Sequence, residues 1–388
     1  MKKYFTFAVL YALIFCFDVH AQSTKFDSLV ITGIKQIYNI QFDDADKTFH
    51  KIIADYPNHP AGKFFIAMID WWKILIDTDS EQRDELFYKK IEDVVDQCDD
   101  ILDKDPDNMD ALFFKGGAIG FRGRLSAMRE NWLSAADDGR EALPLVERAA
   151  EIAPDNVDVQ LGFGIYNYYA AVIPEKHPVV KPLMLFLPSG DKQLGIKQLK
   201  NIAKNGKYTK YEATYFLMSL YYGYENNIGE SEKYALKLTG NFPNNPVFER
   251  WIARIVSKKG NLAASDSIYK SILWKADNKY PGYNTLRNKR EAYYYLGYHL
   301  RSEGKYDSAM AYFDKSMDYS LKMHEDEESG FLVNATLYLG MMKENKQEYA
   351  AAKLYYEKVL NMREFGKSHD LAESYIERIE EVEKKNRN

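Results

Sequence analysis

Cysteine is almost missing from this 388-residue sequence, which has only Cys16 and Cys98. Cys16 sits inside an N-terminal apolar run, so a processed chain keeps one thiol and no intramolecular disulfide can form. Leu13-Ile14-Phe15 precede it, without the small residue that bacterial lipoprotein signals place before a lipid-bearing cysteine. A basic excess is lacking too. The net charge is −5, which provides no field to draw in nucleic acid. Past residue 21 no apolar stretch reaches the ~20 residues of a membrane span. Catalytic spacings are absent: there is no H-E-x-x-H, C-x-x-C, G-x-S-x-G or G-x-x-x-x-G-K-[ST]. The seven histidines are scattered with no ligand-pair spacing, and His324 before four acidic residues reads as a solvated loop. No enzyme, metal or cofactor is expected. Binding is the chemistry left.

Hydrophobic residues make up 46% and charged ones 28% of the chain, the balance of a soluble fold. The start is a targeting segment. Lys2 and Lys3 precede the apolar run Phe5 to Phe17, and Val19-His20-Ala21 forms a small-residue cleavage site. Residues 1–21 are expected to be a signal peptide cut after Ala21, which implies export to the periplasm or envelope.

A spacing then recurs along the rest of the chain. Gly33, Ala45, Phe49 and Pro57 lie twelve, four and eight residues apart. Gly297, Ala309 and Phe313 repeat the first three marks, as do Gly340, Ala352 and Tyr356. Val94, Cys98 and Pro106, then Ala142, Val146 and Pro154, then Ser231, Ala235 and Pro243 repeat the last three. The joints share a spelling: Pro57-Asn58, Pro106-Asp107-Asn108, Pro154-Asp155-Asn156, Pro243-Asn244-Asn245. Proline stops one helix and Asp or Asn caps the next.

This register resembles the tetratricopeptide repeat (TPR), with its W-x2-L-G-x2-Y, A-x3-F and P marks. The stretch 290–319 carries it best, with Tyr293 in place of Trp, Leu300 in place of Tyr and no closing Pro. The resemblance implies an all-α, right-handed superhelical solenoid of antiparallel helix pairs. Eight repeats are expected, near 26–59, 60–107, 108–156, 157–207, 209–245, 246–280, 288–324 and 328–364. The array thus covers 22–364, and a polar capping helix and tail occupy 365–388. Within the fourth repeat, 172–190 (VIPEKHPVVKPLMLFLPSG) is an insertion whose four prolines exclude a continuous helix. It is a strap covering helix flanks, a lid over the groove, or an apolar plug for a partner or membrane surface.

In TPR arrays the first helix of each pair lines a concave groove. On that register Arg250 and Arg254 share one helical face, and the neighbouring repeat adds Tyr294, Tyr298 and Arg301. Two readings stand for this strip. It grips a peptide carboxylate, an acidic segment or a sugar ring, or its tyrosines wedge between repeats while its arginines pair with local acids. Gly117, Gly120 and Gly123 with Arg122 and Arg124 allow a second pair of readings, an anion cradle or close helix packing. The function expected is a protein-interaction scaffold with a peptide or protein partner, as part of an envelope assembly. The alternative is a glycan- or nutrient-binding envelope protein.

Overall fold

The computed structural model describes residues 25–184, 187–323 and 328–387, with the side chains of 183, 184, 386 and 387 excepted. Residues 1–21, expected as the signal peptide, lie outside them, as do Cys16 and His324. The described residues form helices and no strands. They fall into two compact units, one of residues 25–75 and 81–242, the other of 76–80 and 243–387.

Unit 1 holds α1 (25–38), α2 (Phe42–Asp55), α3 (Ala61–Ile76, its last residue counted with unit 2), α4 (Asp84–Leu102), α5 (Met109–Met128) and α6 (Trp132–Ile152). It continues with α7 (Gln160–Lys176), α8 (Lys181–Met184), α9 (Lys192–Asn205), α10 (Lys210–Gly223) and α11 (Ile228–Asn241). Unit 2 holds α12 (Pro246–Lys258), α13 (Leu262–Asp277), α14 (Leu286–Ser302), α15 (Tyr306–Met323), α16 (Gly330–Asn345), α17 (Tyr349–Leu360) and the terminal α18 (Ser368–Arg387). With the short α8 set apart, these make eight helix pairs and a final helix among the described residues. The all-α repeat architecture expected from the spacing is what the chain adopts.

Small residues nest large ones within each pair. A Cβ on Gly33 of α1 would lie 2.4 Å from the Phe49 ring of α2, and one on Gly340 of α16 would lie 2.6 Å from Tyr356 of α17. Gly297 sits 3.3 Å from Phe313 on the same measure. Phe49, Phe313 and Tyr356 are fully buried by this contact. In other pairs a buried serine on the second helix bonds the first helix's carbonyl: Ser231 Oγ donates to Met218 O at 2.8 Å, and Ser265 Oγ to Ala253 O at 3.0 Å. Cys98 fills a core position of α4, where burial pushes its thiol up to about 12.

The turn inside six of the pairs uses a left-handed residue. Gly260 (φ 83°) and Gly304 (φ 73°) supply it at no steric cost. Asn226 (φ 49°) is a residue type that tolerates this conformation, whereas Ile40, Glu130 and Gln347 hold it at φ between 60° and 61°, a strain of about 1–2 kcal/mol each. Asparagine caps recur at the joints. Asn108 accepts from Ala111 N at 3.0 Å, and Asn245 from Val247 N at 3.0 Å and Phe248 N at 3.3 Å.

The insertion begins later than its prolines suggest. α7 runs through Pro174 and ends two residues later at Lys176, although the proline takes its own N–H out of the helix ladder. From His177 the chain is strapped down. His177 stacks on Trp132 at 3.7 Å, Val180 is buried, and Tyr166 OH donates to Pro188 O at 2.7 Å. Gly190 packs so tightly on α7 that a Cβ there would lie 2.5 Å from Ala171 N. Of the apolar centre 183–187, only the side chain of Leu187 is described.

Candidate functional site

Unit 2 brings the expected strip together and fills it from within. Glu291 of α14 is 0% exposed and takes a bidentate hold from Arg254 of α12. Tyr269 OH donates to the same carboxylate at 3.1 Å. Burial alone raises the Glu291 pKa, but the Arg254 charge and its hydrogen bonds outweigh it and hold the group below its ordinary value. Arg250, 4% exposed, donates to Asn288 Oδ1 and, at 2.9 Å, to Ile76 O. Both arginines are therefore committed to internal partners. Tyr294 packs edge-on against Phe331 at 5.0 Å, and Tyr298 lies 5.9 Å from Tyr338. Arg301 stacks over Tyr338 at 4.6 Å, with Nη2 3.6 Å from Met341 Sδ.

The segment 76–80, Ile-Asp-Thr-Asp-Ser, lies along this face. Asp79 Oδ2 accepts from Arg287 Nη1 at 2.9 Å and Arg290 Nη2 at 2.8 Å, and Thr78 Oγ1 accepts from Arg287. Arg290 is 2% exposed, stacks over Phe331 at 4.7 Å, and leaves its Nε and Nη1 without acceptors. Burial pulls its pKa down in spite of Asp79. Asp77 keeps an unbonded buried Oδ1, and its pKa rises through burial and then through Asp79. Arg287 and Arg290 were invisible as partners in the sequence because what they hold lies more than 200 residues earlier.

Unit 1 separates the other two candidates. The glycine run lies inside α5, so its amides are spent on helix bonds and no anion cradle forms. Arg122 turns to α6, where Nε donates to Asp138 at 2.8 Å and Nη2 to Glu141 at 2.7 Å. Gly123 lets α6 approach, since a Cβ there would meet Asp138 at 2.9 Å. Arg124 points to the opposite side of α5, at a cavity of about 530 Å³. Its guanidinium lies over Phe216 at 4.4 Å and Trp71 at 4.8 Å, and Nη1 donates to Glu212 of α10. Tyr38 OH donates to the other Glu212 oxygen at 3.0 Å. Burial works against the Arg124 charge, yet Glu212 keeps its pKa above the ordinary value. Glu212 and Tyr38 carried no motif that singled them out.

Glycines widen this cavity. A Cβ on Gly120 of α5 or Gly139 of α6 would meet no atom within 4 Å. Neither packing nor backbone conformation calls for glycine there. Gly120→Ala is expected to stabilise the protein by about 0.5–1 kcal/mol through helix propensity, measured as a rise in melting temperature.

No protein-family model matches the sequence, and no curated protein sequence matches it closely. Its fold has counterparts among solved structures. The hetero-tetramer Cut9–Hcn1 of the APC/C superposes with a TM-score of 0.53 at 13% identity, over 91% of this chain and 55% of that one. This chain thus spans about half the length of the chain it matches. Yeast Tom70 gives a TM-score of 0.39 at 10% identity, over 90% and 87% of the two chains. PilW, a type IV pilus biogenesis factor, gives 0.37 at 15% identity, over 68% and 96%. At such identity the Cut9–Hcn1 likeness speaks for fold alone, and with the nested helix pairs described above that fold is a TPR-like helical repeat.

Proposed function

We propose that this protein is an exported scaffold that grips an extended acidic segment of a protein partner on the inner helices α12 and α14 of unit 2. The hold on residues 76–80 carries the reading. A main-chain carbonyl is bonded by Arg250, and one carboxylate is shared by Arg287 and Arg290. These are the groups by which a repeat groove reads an extended acidic peptide, with charge-assisted bonds for the side chain and a donor for the backbone. A partner bearing the pattern Asp-Thr-Asp presents the same groups and takes the place of the chain's own segment. Arg290 has two further donors to offer it, and Arg301 extends the strip toward α16. Export rests on the targeting segment at residues 1–21, and a place in an envelope assembly belongs to the same proposal.

A fluorescent Ile-Asp-Thr-Asp-Ser peptide titrated into the full chain tests this by anisotropy. Weak binding to the native protein is expected, because residues 76–80 compete. Binding about tenfold tighter is expected for Asp79→Ala, which removes the competitor's carboxylate. Arg287→Ala with Arg290→Ala should abolish it. Failure of the peptide to bind either the native chain or Asp79→Ala would sink the reading.

A further inference from the structure

We propose that the cavity of unit 1 is a binding site for an uncharged, largely apolar small molecule with a single hydrogen-bond-accepting oxygen, of the kind a fatty alcohol represents. Its volume of about 530 Å³ falls within the range of small-molecule sites, roughly 300–1,000 Å³. Aromatic side chains from six helices wall it, among them Phe64, Trp71, Phe121 and Tyr169. Arg124 and Glu212 are the only charged side chains among the described residues lining it.

Those two charges choose the guest. They neutralise each other through a direct ion pair, so a bound anion meets the Glu212 carboxylate and a bound cation meets the Arg124 guanidinium. A charged ligand entering this apolar space has no unmatched partner to compensate its desolvation. Arg124 nonetheless has donors left over. Nη1 serves Glu212, and its other nitrogens reach no acceptor among the described residues. Aromatic rings hold the guanidinium in place. One neutral oxygen at that wall satisfies a donor and leaves the rest of the molecule to the rings.

Gly120 and Gly139 give a second, independent reason. Each sits within a long helix where alanine fits without touching anything. Glycine there weakens the helix and leaves two positions of the cavity wall without a side chain. A wall that only had to pack would have no use for those gaps.

The test uses the full chain and 1-dodecanol, followed through tryptophan fluorescence, since Trp71, Trp72 and Trp132 line the cavity. Saturable one-to-one binding is expected, with dodecanoate, the anion of equal chain length, at least about tenfold weaker because it must pay desolvation unaided. Gly120→Leu and Gly139→Leu each fill the space and should each lower dodecanol affinity at least about tenfold. Circular dichroism identifies which of the two variants remains folded and is therefore read. The acidic-peptide site lies in unit 2, so Arg287→Ala with Arg290→Ala should leave dodecanol binding unchanged, which separates this site from that one. Absence of saturable dodecanol binding, dodecanoate binding as tightly as dodecanol, or native affinity in a folded leucine variant overturns the proposal.

Discussion

Replacing Glu291 with alanine is expected to destabilise unit 2 by about 3–5 kcal/mol, because it leaves the Arg254 guanidinium buried without its counter-charge. The geometry makes the loss large. Glu291 has no exposure, Arg254 holds both its oxygens, and Tyr269 OH donates to one of them. The partners left behind pay the full desolvation penalty. Removing the pair as a whole is different: Arg254→Met with Glu291→Leu and Tyr269→Phe should recover most of the loss. Amide hydrogen exchange of α12 and α14 is the measurement, since a repeat array need not melt in one step. Acid gives a matching signature. The Glu291 pKa is depressed in the folded protein from its ordinary 4.5. The pair's stabilisation is thus present above pH 4.5 and is lost as pH falls through the lower folded value. The triple variant should lack that particular loss. Native-like exchange in Glu291→Ala would show that the ion pair contributes nothing.

Phe49→Ala should cost unit 1 about 3–5 kcal/mol, the usual range for deleting a buried phenylalanine. Phe49 is fully buried, stacks on Phe65 at 5.1 Å and fills the hollow above Gly33. Gly33→Leu alone should also destabilise, by roughly 1–3 kcal/mol, because its Cβ would already overlap the Phe49 ring. Together the two changes move the missing volume from one helix to the other. The double variant is therefore expected to be more stable than the sum of the two losses. Strict additivity, read from denaturant midpoints, would mean that these residues do not nest as a pair.

The repeat was legible because its marks are steric. Gly33, Gly297 and Gly340 with their aromatic partners twelve plus four residues later report a helix contact that few other residues permit. Other copies were harder to see. Ala253, Ser265 and Tyr269 keep the same intervals, but alanine and serine are common enough to hide them. The intra-pair turn was visible at Gly304 and hidden at Ile40, Glu130 and Gln347, where packing enforces a backbone that their side chains disfavour. Register alone put Arg250 and Arg254 on the first helix of one pair, α12, and Tyr294, Tyr298 and Arg301 on that of the next, α14. Its state was not readable, because burial of Arg250 and Arg254 depends on Glu291, Asn288 and a segment from far upstream. The cavity of unit 1 left still less trace. Gly120 and Gly139 look like packing glycines in a sequence, and only coordinates show that nothing packs on them.

Helical repeats ordinarily fold through neighbours, with ordering able to start anywhere and spread. Unit 2 departs from that pattern, since five of its residues come from 76–80 and the rest from 243 onward. The bond from Arg250 to Ile76 O spans 174 positions, and closing so long a loop must wait until both ends exist. On a ribosome, residues 76–80 emerge long before the arginines that receive them. Completion of unit 2 is therefore a late, slow event with high contact order. Until then the guanidinium groups of α14 stand without Asp79, an interval in which an acidic segment from another chain can reach them first.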